Sequence, residues 1–213
     1  MPLLLLIRHA LTDATGRSLV GWTPGVHLSE RGRGQARALA ERLTPVPLAA
    51  VYSSPLERCL ETAEPVVADR RLRVTPADDL GEVRYGDWTG RSLAQLARTR
   101  LWKVVQSAPS NARFPGGESL LEVQDRAARE VGRIAAAHPR GVVAAFSHGD
   151  VIRLVLAHFA GVHVDLFQRL VISPASVTAV ALGDGTPRIV RVNDTGAVAD
   201  LVPPKPRRRK MGT

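Results

Sequence analysis

Cysteine is nearly absent from this sequence, because Cys59 is the only one among 213 residues. A single thiol excludes an intramolecular disulfide framework and a zinc site built on cysteines. It also fits a reducing compartment, so we expect a cytoplasmic protein. Long apolar runs are missing as well, since the run at residues 3–7 is far too short to span a bilayer. No basic segment precedes that run, and we expect neither a signal peptide nor a membrane anchor.

The net charge of +9 is distributed unevenly along the chain. Five basic residues lie within the last nine positions, at Lys205, Arg207, Arg208, Arg209 and Lys210. Without these five, the 29 basic residues fall to 24 against 20 acidic ones, so the body is only mildly basic. We expect residues 203–213 to form a disordered, solvated tail. Any nucleic-acid binding would be nonspecific and would rest on this tail alone.

Short apolar runs alternate with segments of helical periodicity along the rest of the chain. The apolar runs predict strands at residues 3–7, 48–52, 141–146, 177–182 and 188–192. Helical spacing predicts helices at residues 29–43, 55–63, 92–105, 117–137 and 151–160. This alternation predicts an α/β fold, a three-layer α/β/α sandwich around a mostly parallel sheet. No repeat or internal linker is visible, so residues 1–202 are expected to form one domain.

Three of the predicted strands end in residues suited to binding an anion. The first ends in Arg8 and His9, the second precedes Arg58, and the strand at 141–146 leads into His148. Ligands of open α/β sheets bind beyond the carboxyl ends of the strands. If these strands are neighbours, two histidines and two arginines converge on one pocket. Such a cluster needs an anion, and arginine binds phosphate oxygens through two parallel hydrogen bonds.

Other phosphatase chemistries lack their motifs here. A cysteine phosphatase needs an arginine six residues after its nucleophile, and Pro65 stands six residues after Cys59. Cys59 is therefore interpreted as a small apolar helix residue. The sequence has no His-Glu-x-x-His segment, no paired-aspartate motif of the haloacid dehalogenases and no phosphate-binding Gly-Lys-Ser loop. Four further histidines receive surface or core interpretations: His27, His138, His158 and His163.

Five blocks in order resemble the histidine phosphatase superfamily, also called phosphoglycerate-mutase-like. They lie at residues 4–10, 53–63, 80–90, 115–119 and 146–149, and read LLLIRHA, SSPLERCLETA, LGEVRYGDWTG, PGGES and FSHG. The resemblance covers about residues 3 to 195, outside the basic tail. It implies a phosphoglycerate-mutase-like version of the predicted sandwich.

The resemblance also implies roles for five catalytic residues. His9 would attack phosphorus through a ring nitrogen, forming a covalent intermediate. Arg8, Arg58 and His148 would hold the three equatorial oxygens, on which transition-state charge gathers. Glu82 would protonate the leaving oxygen and then activate water against the phosphohistidine. Because cationic side chains supply the charge that a metal supplies elsewhere, we expect no metal and no cofactor.

Three further residues are expected to contact substrate, and the sequence departs from the family pattern near them. The expected contacts are Thr15, Gly21 and Gly149, in addition to the two arginines. Thr15 stands where true phosphoglycerate mutases carry an asparagine that contacts phosphate. Ala10 replaces the usual glycine beside the nucleophile, and Asp150 stands where many members have a small residue.

These residues predict a metal-independent phosphomonoester hydrolase that acts on a small-molecule phosphate ester through His9. A phosphomutase of the phosphoglycerate mutase type is the close alternative. The stretch from Glu82 to His148 is shorter than in the mutases, whose longer basic insertion helps to retain bisphosphoglycerate, and this favours hydrolysis. A phosphate-binding module with weak or no catalysis is a third hypothesis. A homodimer and the absence of a membrane partner complete the expectations.

Overall fold

A computed structural model describes residues 1–183 and 185–196. It contains six strands: β1 (Leu3–Arg8), β2 (Leu48–Ser53), β3 (Val74–Pro76), β4 (Val142–Ser147), β5 (Val177–Ala181) and β6 (Arg188–Asp194). They form one sheet in the order β3-β2-β4-β1-β5-β6. The first four strands in this order are parallel, whereas β5 is antiparallel to β1 and β6 is antiparallel to β5. The prediction of a mostly parallel central sheet is confirmed.

Helices cover both faces of this sheet. Within the described ranges they are α1 (Glu30–Leu43), α2 (Glu57–Val67), α3 (Leu93–Leu96), α4 (Arg100–Ser107), α5 (Leu120–Ala137) and α6 (Gly149–Ala160). Alternate β1 side chains enter different cores. Leu4 and Leu6 pack with residues of α5 and α6, whereas Leu3, Leu5 and Ile7 pack with residues of α1 and α2. Because successive side chains of a strand point to opposite faces, this arrangement is the three-layer α/β/α sandwich that was predicted.

The helix predicted at residues 92–105 is two short helices, and Thr99 is the physical reason. Its Oγ1 donates to the carbonyl of Leu96, at the end of α3, at 2.7 Å. The same oxygen accepts from the amide of Trp102, in the first turn of α4, at 3.2 Å. Thr99 therefore ends one helix and caps the next, as its preference for N-cap positions allows.

Other boundaries differ from the predictions by a few residues. The fourth helix of the prediction begins at Leu120 and not at 117 or 118, because Ser119 and Glu122 form a capping box at its N-terminus. Helix α2 begins two residues after Pro55, and α6 begins at Gly149 instead of 151. Strand β3 was not predicted, since three residues at the sheet edge give too short a pattern.

Two further expectations concern a membrane anchor and the basic tail. No helix in residues 1–183 and 185–196 combines the length and apolar character that crossing a bilayer requires. The predicted tail at 203–213 and the last residues of the predicted domain lie outside the described residues.

The capping box at the start of α5 gives a stability prediction. Ser119→Ala removes the side-chain oxygen that accepts from the amide of Glu122 at 3.2 Å, leaving that donor without its cap. We expect the free energy of unfolding in urea to fall by about 1 kcal/mol. Ser107→Ala, at the C-terminal end of α4, is the matched control and should change it by less than about 0.5 kcal/mol. Equal effects of the two variants would contradict the assigned cap.

Candidate active site

The carboxyl ends of β2, β4 and β1 lie side by side, because these strands are neighbours in the sheet. The amide of His9 donates to the Ser147 carbonyl at 2.9 Å, and the amide of Ser54 donates to the Phe146 carbonyl at 2.9 Å. These bonds hold the residues that follow the three strands close together at the same edge of the sheet. The rings of His9 and His148 consequently lie 5.3 Å apart, centroid to centroid.

His9 is a buried, neutral imidazole with a defined tautomer. Its Nδ1 lies 2.7 Å from the carbonyl oxygen of Ala10. Because a carbonyl can only accept, Nδ1 carries the proton and Nε2 keeps a free electron pair. Burial, together with the positive charges of Arg58 and Arg8, lowers the pKa of His9 to about 3. The imidazole is therefore unprotonated, and its Nε2 is nucleophilic, throughout the physiological pH range.

Two arginines beside His9 have N–H groups that lack partners within the described residues. Arg58 is fully buried, and its Nη2 donates to the carbonyl of Gly21 at 2.9 Å, whereas its Nε and Nη1 have no hydrogen-bond partner. Arg8 donates through Nη1 to the Ile172 carbonyl at 2.6 Å, and its Nε has none. Unpaired buried donors on cationic groups cost several kcal/mol at most sites, so this arrangement suits an anionic ligand.

His148 lies behind this pair of arginines and does not line the cavity. Its Nδ1 is 3.2 Å from Nη2 of Arg58, and its Nε2 is 2.8 Å from Oγ of Ser54. A guanidinium can only donate, so Nδ1 accepts and Nε2 donates to the serine. Burial and the charge of Arg58 hold the pKa of His148 well below its usual value. In this arrangement both ring nitrogens form hydrogen bonds, and the imidazole helps to position the guanidinium of Arg58.

Glu82 lines the cavity as a carboxyl group that holds its proton near neutrality. Burial, and then the negative charge of Asp150, raises the pKa of Glu82 to about 7. Its Oε1 accepts from the amide of Val83 at 3.0 Å, and its Oε2 lies 3.6 Å from Nδ1 of His148. A carboxyl group with this pKa can donate and accept a proton at physiological pH, which is the requirement for a general acid and base.

The backbone of Glu82 is fixed by residues that sequence reasoning missed. Its carbonyl accepts from Nε1 of Trp22 at 2.6 Å and from Nη2 of Arg126 at 3.0 Å. Arg126 also donates to the carbonyls of Asp79 and Gly81, and its Nε pairs with Glu118 at 2.7 Å. One guanidinium therefore holds the whole turn that carries Glu82. The PGGES block supplied a signal for Glu118, but nothing in the sequence pointed to Arg126.

Thr62 and Ser54 were also missed, although both stand close to predicted residues. Oγ1 of Thr62 accepts from the amide of Ala10 at 3.0 Å and donates to the carbonyl of Arg58 at 2.6 Å. It thereby connects the loop that follows His9 to α2. The four-residue spacing from Arg58, which puts both residues on one helix face, is the signal that identifies it.

The substrate-binding residues expected from the sequence have different positions. Thr15 and Gly149 line the cavity, whereas Gly21 lies behind it and contributes only its carbonyl to Arg58. Oγ1 of Thr15 accepts from the amide of Thr12 at 3.0 Å. A Cβ at Gly149 would lie 3.1 Å from Nε of Arg8, so the absence of a side chain there lets the arginine approach the strand end.

The remaining histidines and the cysteine lie outside the cavity lining. His138 donates to or accepts from the hydroxyl of Tyr52 at 3.1 Å, and His27 contacts Glu61. Cys59 is fully buried, and burial raises the pKa of its thiol to about 12, which keeps the thiol protonated. Within residues 1–183 and 185–196, no three side chains of His, Cys, Asp or Glu are grouped as metal ligands.

The cavity above these groups has a volume of about 460 Å³. Arg8, His9, Arg58 and Glu82 form its polar end, and apolar side chains form much of the remaining wall. A neutral imidazole beside two arginines with free N–H groups suits attack on a phosphoryl group, and a carboxyl group that titrates near neutrality suits its leaving oxygen. On an α/β/α sandwich, this arrangement defines an enzyme of the phosphatase or phosphomutase type.

Comparison with known proteins agrees with this class. The family model of the histidine phosphatase superfamily (branch 1) matches residues 4–195, and the chain belongs to this superfamily. Phosphoserine phosphatase 1 of Hydrogenobacter thermophilus is 29% identical over 203 residues, 92% of this chain and 93% of the relative.

Two further similarities extend this comparison. A 2,3-bisphosphoglycerate-dependent phosphoglycerate mutase of Gloeobacter violaceus is 32% identical over 165 residues, 73% of this chain and 74% of the mutase. The structure of Bacillus stearothermophilus YhfR superposes with a TM-score of 0.86 at 30% identity, covering 91% of this chain and 98% of that one. The superfamily therefore contains both phosphatases and mutases at this level of similarity.

The protonation of His9 can be measured directly. We expect ¹⁵N NMR of the imidazoles to show His9 as the neutral Nδ1–H tautomer from pH 8 down to about pH 4, because its pKa lies near 3. His27 is the internal control, since its contact with Glu61 raises its pKa above the usual value. His9→Gln and His27→Gln assign the two signals. Protonation of His9 between pH 6 and 7 would overturn the electrostatic description of the site.

Proposed function

We propose that this protein is a metal-independent phosphomonoester hydrolase that forms a phosphohistidine on His9. The observation that carries the proposal is the free Nε2 of His9, held neutral beside two arginines that have N–H groups without partners among the described residues. An incoming phosphate ester supplies the negative charge and the acceptors that these arginines need. The arginines, in turn, supply the positive charge that a metal ion supplies in other phosphatases.

The first chemical step transfers the phosphoryl group to the enzyme. Nε2 of His9 attacks phosphorus in line, so that a P–N bond forms while the P–O bond to the alcohol breaks. Arg8 and Arg58 hold the equatorial oxygens, and each such donor typically contributes about 10²–10³ in rate. Glu82, protonated at the start of the step, gives its proton to the leaving oxygen. The products of this step are the free alcohol and phosphohistidine.

The second step returns the enzyme to its starting state. The carboxylate of Glu82 takes a proton from water, and the oxygen of that water attacks phosphorus as the P–N bond breaks. Inorganic phosphate leaves, His9 regains its electron pair, and Glu82 is protonated again. One residue therefore acts as acid and then as base, which a pKa of about 7 allows.

His148 acts on this chemistry mainly through Arg58. Its contacts with Arg58 and Ser54 keep the guanidinium in place beside His9. The resemblance implies that His148 donates directly to a phosphoryl oxygen. For that, Nδ1 must carry a proton and lose its hydrogen bond from Arg58. The other tautomer of the ring provides that proton, because Nε2 then accepts from the hydroxyl of Ser54.

A mutase is the second candidate, and the similarity to a phosphoglycerate mutase favours it. A mutase must keep a bisphosphorylated intermediate in the pocket, which requires a cation for the second phosphate. Among the described residues, Arg153 is the only arginine or lysine of the cavity lining besides Arg8 and Arg58, and it is already paired with Asp150 at 2.8 Å. This pairing favours release of phosphate over its return to the product.

The expected partner is a small-molecule phosphate ester, and the expected location is the cytoplasm. The location rests on the single, buried cysteine, which fits a reducing compartment. The homodimer and the nonspecific binding of nucleic acid by residues 203–213 also remain predictions.

Loss of the nucleophile gives the first test of the mechanism. We expect turnover of phenyl phosphate to survive EDTA and to fall at least about 10⁴-fold in His9→Ala, because the covalent step is removed. Wild-type protein denatured with base during turnover of ³²P-labelled phenyl phosphate should carry a label that is stable in base and labile in acid. His158→Ala is the matched control and should keep full activity. Full activity in His9→Ala would refute the mechanism.

Glu82 gives a sharper test, which depends on the leaving group. Glu82→Gln keeps the size of the side chain but cannot transfer a proton. We expect the single-turnover phosphorylation rate to fall by roughly 10²-fold or more for an alkyl phosphate. The rate for p-nitrophenyl phosphate should fall much less, because its leaving group, p-nitrophenolate, is a stable anion that needs no proton. In the wild type, the alkyl rate should fall above about pH 7, as Glu82 loses its proton.

The pH dependence serves as the control for this comparison. It should disappear in Glu82→Gln and should be weak for p-nitrophenyl phosphate in both proteins. Equal losses for the two leaving groups would remove Glu82 as the acid. Asp150, which also lines the cavity, would then be the next candidate.

A further inference from the structure

The cavity wall beyond the phosphate-binding end is partly apolar and aromatic, and its uncharged polar members include Ser18, Gln106 and Gln168. Leu19, Leu93, Trp102 and Val105 line it. Trp102 stacks on Trp88 with the ring centroids 6.2 Å apart and the planes inclined by 30°. Both tryptophans contribute to the cavity lining, although Trp88 is almost fully buried and Trp102 only partly. The polar end therefore opens into a space that offers flat, apolar surface to the alcohol part of a substrate.

Backbone hydrogen bonds hold this wall in place without a ligand. The amide of Leu19 donates to the carbonyl of Arg91 at 3.1 Å, and the amide of Gly90 donates to the carbonyl of Leu19 at 2.7 Å. The amide of Leu93 donates to the carbonyl of Arg17 at 2.9 Å. The loop after β1 and the segment before α3 thus form one strap, and an apolar group can bind to it without first ordering it.

The C-terminal end of α4, the helix that carries Trp102, is also held by hydrogen bonds. Nε2 of Gln168 donates to the carbonyl of Val105 at 3.1 Å, and the amide of Ser110 donates to Oδ1 of Asp165 at 2.8 Å. These contacts attach the helix that carries Trp102 to the segment after α6. The wall is therefore a formed surface of the domain.

The charged groups of the cavity outside the phosphate-binding end neutralise each other. Nη1 of Arg153 pairs with Oδ1 of Asp150 at 2.8 Å, and its Nε donates to the carbonyl of Leu170 at 2.9 Å. The hydroxyl of Tyr85 donates to the other oxygen of Asp150 at 3.3 Å. A second anionic group on the substrate would have to compete with these contacts, whereas an apolar group would not.

We propose that the substrate is a phosphate monoester of an alcohol that carries an aromatic or similarly large apolar group, bound against Trp102. This inference rests on the proposed function. The alcohol side of such a substrate leaves water for an apolar wall, a transfer that is favourable in proportion to the area buried. A polyol such as glycerol buries little apolar area against Trp102, and its hydroxyls would lose water on that part of the wall. Binding, more than the chemical step, separates the two kinds of substrate.

The test compares 2-phenylethyl phosphate with glycerol 1-phosphate, two esters of primary alcohols. We expect kcat/KM to be at least about tenfold higher for the aromatic ester, with most of the difference in KM. Trp102→Ala should reduce this ratio by roughly tenfold, because the flat surface is lost. Leu121→Ala, at an exposed residue outside the cavity, is the matched control and should leave the ratio unchanged.

A second variant and a binding measurement keep the test decisive if Trp102→Ala unfolds. Leu93→Ser, at a partly buried position of the same wall, should also lower the ratio. Calorimetry on the wild type should show at least about tenfold tighter binding of 2-phenylethylphosphonate than of methylphosphonate, which needs no turnover. Equal affinities, or equal kcat/KM values for the two esters, would overturn the inference.

The outcomes separate this inference from the proposed function. Turnover of both esters without preference would leave the hydrolase standing and refute the apolar subsite. Tighter binding of the aromatic phosphonate, without turnover of any ester, would support the subsite and refute the hydrolase.

Discussion

The buried guanidinium of Arg58 is the constraint around which the site is arranged. A permanent positive charge at a fully buried position requires fixed acceptors, and Gly21 supplies one through its carbonyl. His148 supplies another through Nδ1, which in turn determines the tautomer of that ring and its bond to Ser54. The same charge helps to keep His9 unprotonated. The protonation states of His9 and His148 therefore both depend on the charge of Arg58.

Much of this arrangement could be predicted from local sequence patterns. Five apolar runs marked five of the six strands, and the residues at their ends marked His9 and His148 as neighbours on one sheet edge. Patterns of this kind work because strand ends and helix caps are determined by residues close in sequence. Thr99 shows the limit, since a residue with good capping chemistry inside a periodic segment divided one predicted helix into two.

The contacts that were missed join segments distant in sequence. Arg126 holds carbonyls that lie 44 to 47 residues earlier in the chain, and its position in the middle of α5 resembles that of any surface arginine. The placement of His148 behind Arg58 likewise depends on how two elements pack, which no motif encodes. The apolar wall around Trp102 is assembled from three separate segments. Family blocks identify the groups that react, whereas tertiary packing determines how they are held and what the alcohol part of a substrate meets.

The position of β1 in the sheet has a consequence for biosynthesis. Its neighbours are β4 and β5, so β1 pairs with residues 142–147 and 177–181, which are synthesised later. Until those residues emerge, Leu3 to Ile7 remain an apolar segment without a sheet to join, and contacts so distant in sequence form slowly. In a nascent chain that is interrupted before β4, His9 therefore follows an apolar strand that has neither of its neighbours in the sheet. The site is completed only after β4 and the residues that follow it have been synthesised.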